Sequence, residues 1–184
     1  ELLMESYYDQ LRNCIFASDE EYQRFRSLVI NAVIATDIFD KDLKEFRNKR
    51  WERAFGDEKD NSDLKATIVI EHLIQASDVA HTMQHWHIYQ KWNEKLFAEM
   101  YLAYQVGRGN DPSPGWYKGE MWFYDNYVLP LALKLKECGV FGVSSDEYLN
   151  YAEENRREWE IKGEELVVKW IDKYTIVTVE DKNE

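Results

Sequence analysis

The chain has few of the residues that interrupt or cross-link a fold. Its 184 residues include only 8 glycines, 3 prolines and 2 cysteines. So few turn-forming residues favour long regular elements over a turn-dense β fold. The cysteines, Cys14 and Cys138, lie far apart in the sequence. We therefore expect reduced packing residues of a cytosolic protein, not a disulfide framework.

Basic residues and long apolar runs are also scarce. With 35 acidic against 23 basic residues, the net charge is −12, which excludes the basic stripe that nucleic-acid binding needs. A small anionic substrate remains compatible, because bound metal ions can reverse the local field. No apolar run of about 18 residues is present, so we expect no membrane contact by this segment. The expected location is the cytoplasm, either free or as the cytosolic part of a membrane-anchored protein.

What the chain does contain is apolar residues at helical spacing. The content is 45% hydrophobic and 15% aromatic, enough for a sizeable core. Steps of three and four predict an all-α fold, and Ser18 and Glu21 form a capping box at the start of a helix. The predicted elements are a helix to Ala35, a charge-rich helix and loop over 40–61, a helix over 64–79 capped by Asp63, helices over 85–106 and 117–138 with a kink at Pro130, a second capping box over 144–147 opening a helix to Trp170, and a β-prone tail over 174–179.

Asp78 falls late in an apolar helical segment, and all four histidines lie within ten positions of it. A buried carboxylate is costly unless it is paired or bound to a metal. From the residues alone, an aspartate at a helix end is more often a cap or an ion-pair partner than a metal ligand. His81 and His85 are four positions apart and would share a helix face, which leaves a separate metal site as an alternative.

Three segments together resemble a known family. They are Val-Ile-Ala-Thr-Asp over 33–37, Ala-Ser-Asp-Val-Ala-His over 76–81 followed by the helix 86–97, and Gly-Glu-Met-Trp-Phe-Tyr-Asp-Asn-Tyr-Val-Leu-Pro-Leu over 119–131. In this order and spacing they resemble the class I 3′,5′-cyclic nucleotide phosphodiesterases. The resemblance covers roughly residues 1–142.

Two histidine-rich motifs of that family lie upstream of the first segment, but only 32 residues precede Val33 here and none is a histidine. The resemblance therefore implies the C-terminal portion of a phosphodiesterase catalytic domain, a compact multi-helix bundle incomplete at its N-terminus. Residues 1–142 would belong to that domain, and 143–184 would form a C-terminal charged helix and tail. We expect covalently linked upstream catalytic and regulatory domains, and an isolated chain that is inactive.

The implied activity is hydrolysis of cAMP or cGMP to the 5′-monophosphate by a hydroxide that two divalent metal ions activate, zinc with magnesium or manganese. Asp78 matches an aspartate that ligates metal directly. Most other ligands would lie outside this chain, as would the histidine that serves as general acid, so no catalytic residue is assigned here.

The resemblance also implies residues that bind the substrate. Thr36, Asp37 and Ile38 would line the pocket beside the metals, and His81 stands where the family usually has asparagine. Phe123 would stack on the purine. Glu120 replaces the family's glutamine at the base edge, and a carboxylate can only accept hydrogen bonds where an amide also donates.

Simpler roles remain open for several of these residues. Thr36 and Asp37 could merely end a helix, and Trp122 and Phe123 could be core aromatics. We expect a core position for four further aromatics, namely Tyr89, Trp92, Trp116 and Tyr127. The alternatives for the whole chain are a noncatalytic helical interaction domain that keeps this fold, and a bundle whose own metal site uses His81 and His85.

Overall fold

The computed structural model describes residues 5–38, 40–56, 62–144 and 146–180. They belong to two compact units, Glu1–Gln75 and Ala76–Glu184. Throughout the described ranges the regular structure is helical and includes no strand, which confirms the all-α fold class.

The described residues of the first unit form four α-helices and a short 3₁₀ turn. The turn is Ser6–Tyr8, and the helices are α1 Asp9–Ile15, α2 Asp19–Ala35, α3 Lys41–Phe55 and α4 Ser62–Asp78, whose last turn enters the second unit. The predicted capping box is confirmed. Ser18 Oγ accepts a hydrogen bond from the Glu21 amide at 3.2 Å, and the Glu21 carboxylate accepts one from the Ala17 amide at 2.7 Å. Asp63 was predicted to cap α4. It lies inside the first turn instead, where its charge still favours the helix dipole.

The core of the first unit combines apolar and polar contacts between α3 and α4. The Trp51 and His72 rings lie 4.7 Å apart, centroid to centroid. Beside them the Arg50 guanidinium donates to both carboxylate oxygens of Glu71, at 2.7 and 2.9 Å. This pairing compensates the charge of Glu71, which is buried.

The second unit is built on one long helix. After the 3₁₀ turn Ala80–Met83 come α5 Trp86–Gln105, α6 Trp116–Phe123, a π turn Tyr124–Val128, α7 Leu129–Glu137 and α8 Glu147–Glu180. Helices α5, α6 and α7 all pack on α8. None of the described helices is long and apolar enough to cross a membrane.

The prediction that α8 ends near Trp170 is wrong, because the helix continues to Glu180. The prediction of a β-prone tail over 174–179 is therefore wrong as well. Contacts with α5 hold this last part of the helix. Lys173 Nζ donates to Glu94 at 2.7 Å, and the hydroxyls of Tyr101 and Thr175 lie 2.9 Å apart. Tertiary contacts have overridden the local β propensity. The second capping box includes residue 145, which lies outside the described residues.

Pro130 was predicted to disturb the helix over 117–138. The structure has a π turn at Tyr124–Val128, immediately before the proline segment of α7. Proline cannot donate to the preceding turn, and its ring crowds the carbonyl four residues back. The wider π turn accommodates this local mismatch.

Aromatic side chains fill the core of the second unit. Tyr89, Phe97 and Trp159 are fully buried, and the Tyr89 and Trp159 rings meet edge to face at 5.9 Å. Gly163 allows this packing, because a Cβ there would lie 2.7 Å from the Trp159 ring. The expectation for Trp92 is wrong, since its side chain is 50% exposed and lies outside the buried face of α5.

Candidate functional site

Three polar side chains of the second unit meet between α5 and α6. Tyr89 and Asn93 are one turn apart on the buried face of α5, and both are essentially inaccessible to solvent. Glu120 reaches them from the middle of α6. The helical spacing of the tyrosine and the asparagine therefore directs both polar groups at one carboxylate.

The hydrogen bonds converge on one oxygen of that carboxylate. The Tyr89 hydroxyl donates to Glu120 Oε2 at 2.8 Å, and Asn93 Nδ2 donates to the same oxygen at 2.9 Å. Asn93 Nδ2 also donates to the Tyr89 hydroxyl at 2.6 Å. Oε2 of Glu120 is thus fixed as an acceptor.

Trp116 sets the direction of this network. Its indole Nε1 donates to Asn93 Oδ1 at 2.8 Å. An indole nitrogen can only donate, so the amide of Asn93 must present its oxygen to Trp116. The NH₂ group of Asn93 is then the part that faces Glu120.

The environment of Glu120 disfavours its charged form. Burial raises the pKa of Glu120 to about 7, although the hydrogen bond from Tyr89 opposes this effect. Burial also raises the pKa of Tyr89 well above its usual value, and the nearby charge of Glu120 adds to it. Tyr89 therefore stays a neutral donor, and Glu120 changes protonation state near neutral pH.

Phe123 lies three residues after Glu120, at the last position of α6. Its ring is half-buried and lies against the ring of Tyr127, with centroids 5.3 Å apart and planes inclined by 21°. Trp122 is 55% exposed, so its interpretation as a core aromatic is wrong. A ring and a carboxyl group one turn apart can contact the face and the edge of the same planar ligand.

Asp78 is the last residue of α4, and its side chain is exposed, not buried as the sequence suggested. His81 follows in the 3₁₀ turn, half-buried, with its ring parallel to that of Tyr89 at 6.3 Å. Burial lowers the pKa of His81, and the charge of Asp78 partly offsets this. Within the second unit, His81 thus lies near the charge of Asp78 and beside the Tyr89 ring, and Tyr89 in turn donates to Glu120.

The segment that carries His81 is anchored by α8. Asn155 is completely buried, and its side-chain NH₂ donates to the carbonyls of Thr82 and Gln84 at 3.0 and 2.7 Å. These two bonds fix a short 3₁₀ turn that has few bonds of its own.

The other histidines do not form a site of their own. His81 lies in the 3₁₀ turn and His85 precedes the first residue of α5, so the helix face they were expected to share does not exist. His85 Nε2 lies 3.1 Å from the Tyr151 hydroxyl. Over the described residues no three His, Cys, Asp or Glu side chains are placed to hold a metal ion.

The chemistry of Asp78 nevertheless fits a metal ligand. A carboxylate is a donor that both zinc and magnesium accept, and an exposed one at a helix end has room for a cation. It would be one ligand of several, so the remainder must come from other residues.

Thr36, Asp37 and Ile38 lie in the first unit, directly after α2. The Thr36 hydroxyl donates to the Val33 carbonyl at 2.8 Å. Arg47 of α3 donates to the carbonyl of Asp37 at 2.6 Å, which fixes the end of α2. The backbone of this segment is well anchored, while the Asp37 side chain is exposed.

Comparison with known proteins shows which family the chain belongs to. A family profile described as 3′5′-cyclic nucleotide phosphodiesterase matches residues 2–139. The chain belongs to this family. No curated protein matches the chain.

Two solved structures share the fold of this family member. They are the phosphodiesterase domain of a rhodopsin–phosphodiesterase fusion protein from the choanoflagellate Salpingoeca rosetta, and that of the Salpingoeca rosetta rhodopsin phosphodiesterase. Both have a TM-score of 0.66, with 20% and 21% identity over 93% and 94% of this chain. The chain spans only 54% of the length of each.

The sequence did not reveal the partners of Glu120. The sequence pattern predicts only core positions for Tyr89 and Trp116, and it indicates no role for Asn93. One signal was available, because an asparagine four residues after a tyrosine on the apolar face of a helix needs a polar partner.

Proposed function

We propose that the protein containing this chain hydrolyses a 3′,5′-cyclic nucleotide to its 5′-monophosphate, and that this chain supplies the base-binding part of the site and one metal ligand. The observation that carries the proposal is that Glu120 and Phe123 lie one turn apart on the same face of α6. Glu120 is held by Tyr89 and Asn93, so its position is defined before any ligand arrives. Preorganised polar groups beside an aromatic ring are typical of a nucleotide-base site.

In this proposal the two side chains divide the recognition of the base. Phe123 stacks on the purine face, an interaction that every base can make. The remaining oxygen of Glu120 meets the purine edge, which differs between adenine and guanine. As a carboxylate, Glu120 accepts from base groups that donate: the amine of adenine, or, with the base in a rotated pose, the ring N–H and amine of guanine.

The phosphate end of the nucleotide is assigned to the residues near Asp78. Asp78 would ligate one of two divalent metal ions, zinc together with magnesium or manganese. When bound, such ions supply water activation and offset the charge of the phosphodiester. His81 would contact the substrate between the metals and the base. Thr36, Asp37 and Ile38 are proposed as further substrate-binding residues.

The rest of the site would come from the remainder of the protein. Residues 1–142 would belong to the catalytic domain and 143–184 would support it through α8. Similar solved structures are domains of a rhodopsin fusion protein. We propose by analogy that regulatory domains are covalently linked to this domain and that it acts in the cytoplasm.

A comparison of two samples tests the proposal. The whole protein is assayed with cAMP and cGMP in the presence of Mg²⁺, Mn²⁺ and Zn²⁺, beside the isolated 184-residue chain. We expect metal-dependent turnover by the whole protein and none by the chain alone. A folded whole protein that binds a cyclic nucleotide without hydrolysing it would instead make this a noncatalytic binding domain.

A further inference from the structure

The two oxygens of the Glu120 carboxyl group are not equivalent. Tyr89 and Asn93 both donate to Oε2, and neither donates to Oε1. An oxygen that already accepts two hydrogen bonds is a poor place for a proton, because that proton would meet the hydrogen atoms of its donors. When Glu120 is protonated, the proton therefore resides on Oε1.

Trp116 prevents the network from reversing. If Asn93 rotated its amide, Oε2 could carry the proton and donate to the amide oxygen. The Trp116 indole occupies that amide oxygen at 2.8 Å and cannot accept a hydrogen bond in return. The direction of donation from Trp116 through Asn93 to Glu120 is thereby fixed.

Resting on the proposed function, we propose that Glu120 reads the purine edge in two protonation states. As a carboxylate, its Oε1 accepts from an amino group at position 6 of the purine. As a carboxylic acid, it donates the Oε1 proton to a carbonyl at that position, so that it acts like the glutamine it replaces. The O–H bond at Oε1 forms or breaks as the proton is exchanged with water, and no other covalent bond changes.

The surroundings make both states accessible near neutral pH. Burial raises the pKa of Glu120 to about 7. Its two donors are neutral, and the other titratable group close to it, Tyr124 of the π turn, also has its pKa raised by burial and stays neutral. The cation Arg156 of α8 is paired with Asp125 and Glu160. The ring of His81 lies parallel to that of Tyr89 at 6.3 Å, and burial lowers the pKa of His81.

The test compares two substrates that differ only at positions 1 and 6 of the purine, cAMP with an amine and cyclic inosine monophosphate with a carbonyl. The whole protein is used, and kcat/KM is measured for both on either side of pH 7. We expect the ratio of kcat/KM for cAMP to kcat/KM for cyclic inosine monophosphate to rise roughly tenfold with increasing pH, because Glu120 loses its proton. Steps common to both substrates, including any titration of His81, cancel in this ratio.

Three variants complete the test. Glu120→Gln cannot titrate, so its ratio should be constant with pH. Trp116→Phe removes the indole donor and lets Asn93 rotate, so the change of the ratio with pH should shrink. Trp122→Phe, an exposed neighbour, should behave like the wild type.

The outcomes separate the two proposals. If the wild-type protein hydrolyses both nucleotides and the ratio of their kcat/KM values does not change with pH, the proposal of two protonation states is overturned and the proposed function is left intact. A full pH response in Glu120→Gln would overturn it as well, since another group would then be responsible. Absence of turnover from a folded whole protein at every pH would remove the proposed function and this inference together.

Discussion

At the scale of single residues, Phe123 and Trp122 show how one position along a helix decides a role. Both are large aromatics on α6, yet Phe123 is half-buried against Tyr127 whereas Trp122 is 55% exposed. Only the ring of Phe123 shares a helix face with Glu120. This geometry supports the proposal that Phe123, and not Trp122, stacks on the base.

This assignment predicts the effect of Phe123→Ala. Stacking on an aromatic ring contributes about 1–3 kcal/mol per base and does not depend on which base is stacked. We expect kcat/KM to fall for cAMP and cGMP alike, by roughly five- to hundredfold. The measurement is steady-state kinetics of the whole protein with each nucleotide.

Trp122→Ala is the matched control, because it truncates an aromatic one residue away and should leave both nucleotides unaffected. If Phe123→Ala instead lowered the rate for only one nucleotide, the ring would be reading base identity. If the two variants behaved alike, α6 would not line the nucleotide site.

At the same scale, the sequence predicted some parts of the candidate site and not others. Glu120, Phe123 and Asp78 could be chosen because they stand in short motifs with fixed spacing. Asn93 and Trp116 could not, because their roles depend on which faces of α5 and α6 meet. The exposure of Asp78 was also unpredictable, since it depends on what packs around the end of α4.

At the scale of elements, α8 acts as the support for the turn that carries His81. The Asn155 side chain bonds two carbonyls of the 82–84 segment from one position on the helix. Removing it would take a hydrogen-bond donor from the buried carbonyl of Thr82 and from the part-buried carbonyl of Gln84, and the loss at a buried carbonyl is costly.

We therefore predict that Asn155→Ala destabilises the chain by about 1–3 kcal/mol. Denaturant unfolding monitored by circular dichroism measures this free energy. Asn150→Ala, at an exposed position of the same helix, should change it by less than about 0.5 kcal/mol. Equal effects in the two variants would mean that the bonds from Asn155 to the turn do not stabilise the chain.

The elements themselves were mostly predictable. The capping box at Ser18 and the apolar spacing located α2 and α5 to within a residue or two. The end of α8 was missed because contacts with α5, which no local pattern encodes, keep residues 174–179 helical. The π turn before Pro130 was not predictable either, because a helix can relieve the clash between the proline ring and the preceding turn in more than one way.

At the scale of the whole molecule, the Glu120 network has a cost in stability that depends on pH. The carboxyl pKa is raised from 4.5 to about 7 on folding. A group with a raised pKa contributes its full stability below the unfolded value, and this contribution is lost as the pH rises through the folded value. The chain should therefore lose stability from this group between about pH 4.5 and pH 7.

The variant Glu120→Gln tests this effect, because the amide keeps an acceptor for Tyr89 and Asn93 but never ionises. We expect the melting temperature of the variant relative to the wild type to increase as the pH rises through this window and then to level off. Thermal melts of both proteins at matched pH values give the comparison. A difference that does not vary with pH would show that folding does not raise the pKa of Glu120.

The fold, the family and the candidate site lead to one central claim, that this chain contributes a metal ligand and a base site to a cyclic nucleotide phosphodiesterase. The most direct measurement is turnover of cAMP and cGMP by the whole protein carrying Asp78→Ala, with Asp172→Ala of α8 as a control for loss of an exposed carboxylate. We predict a loss of at least about a hundredfold for Asp78→Ala, because removing a ligand weakens metal binding, with a normal melt and normal turnover for Asp172→Ala. Near-normal turnover in folded Asp78→Ala would contradict the claim and leave Asp78 as an ordinary residue at the end of a helix.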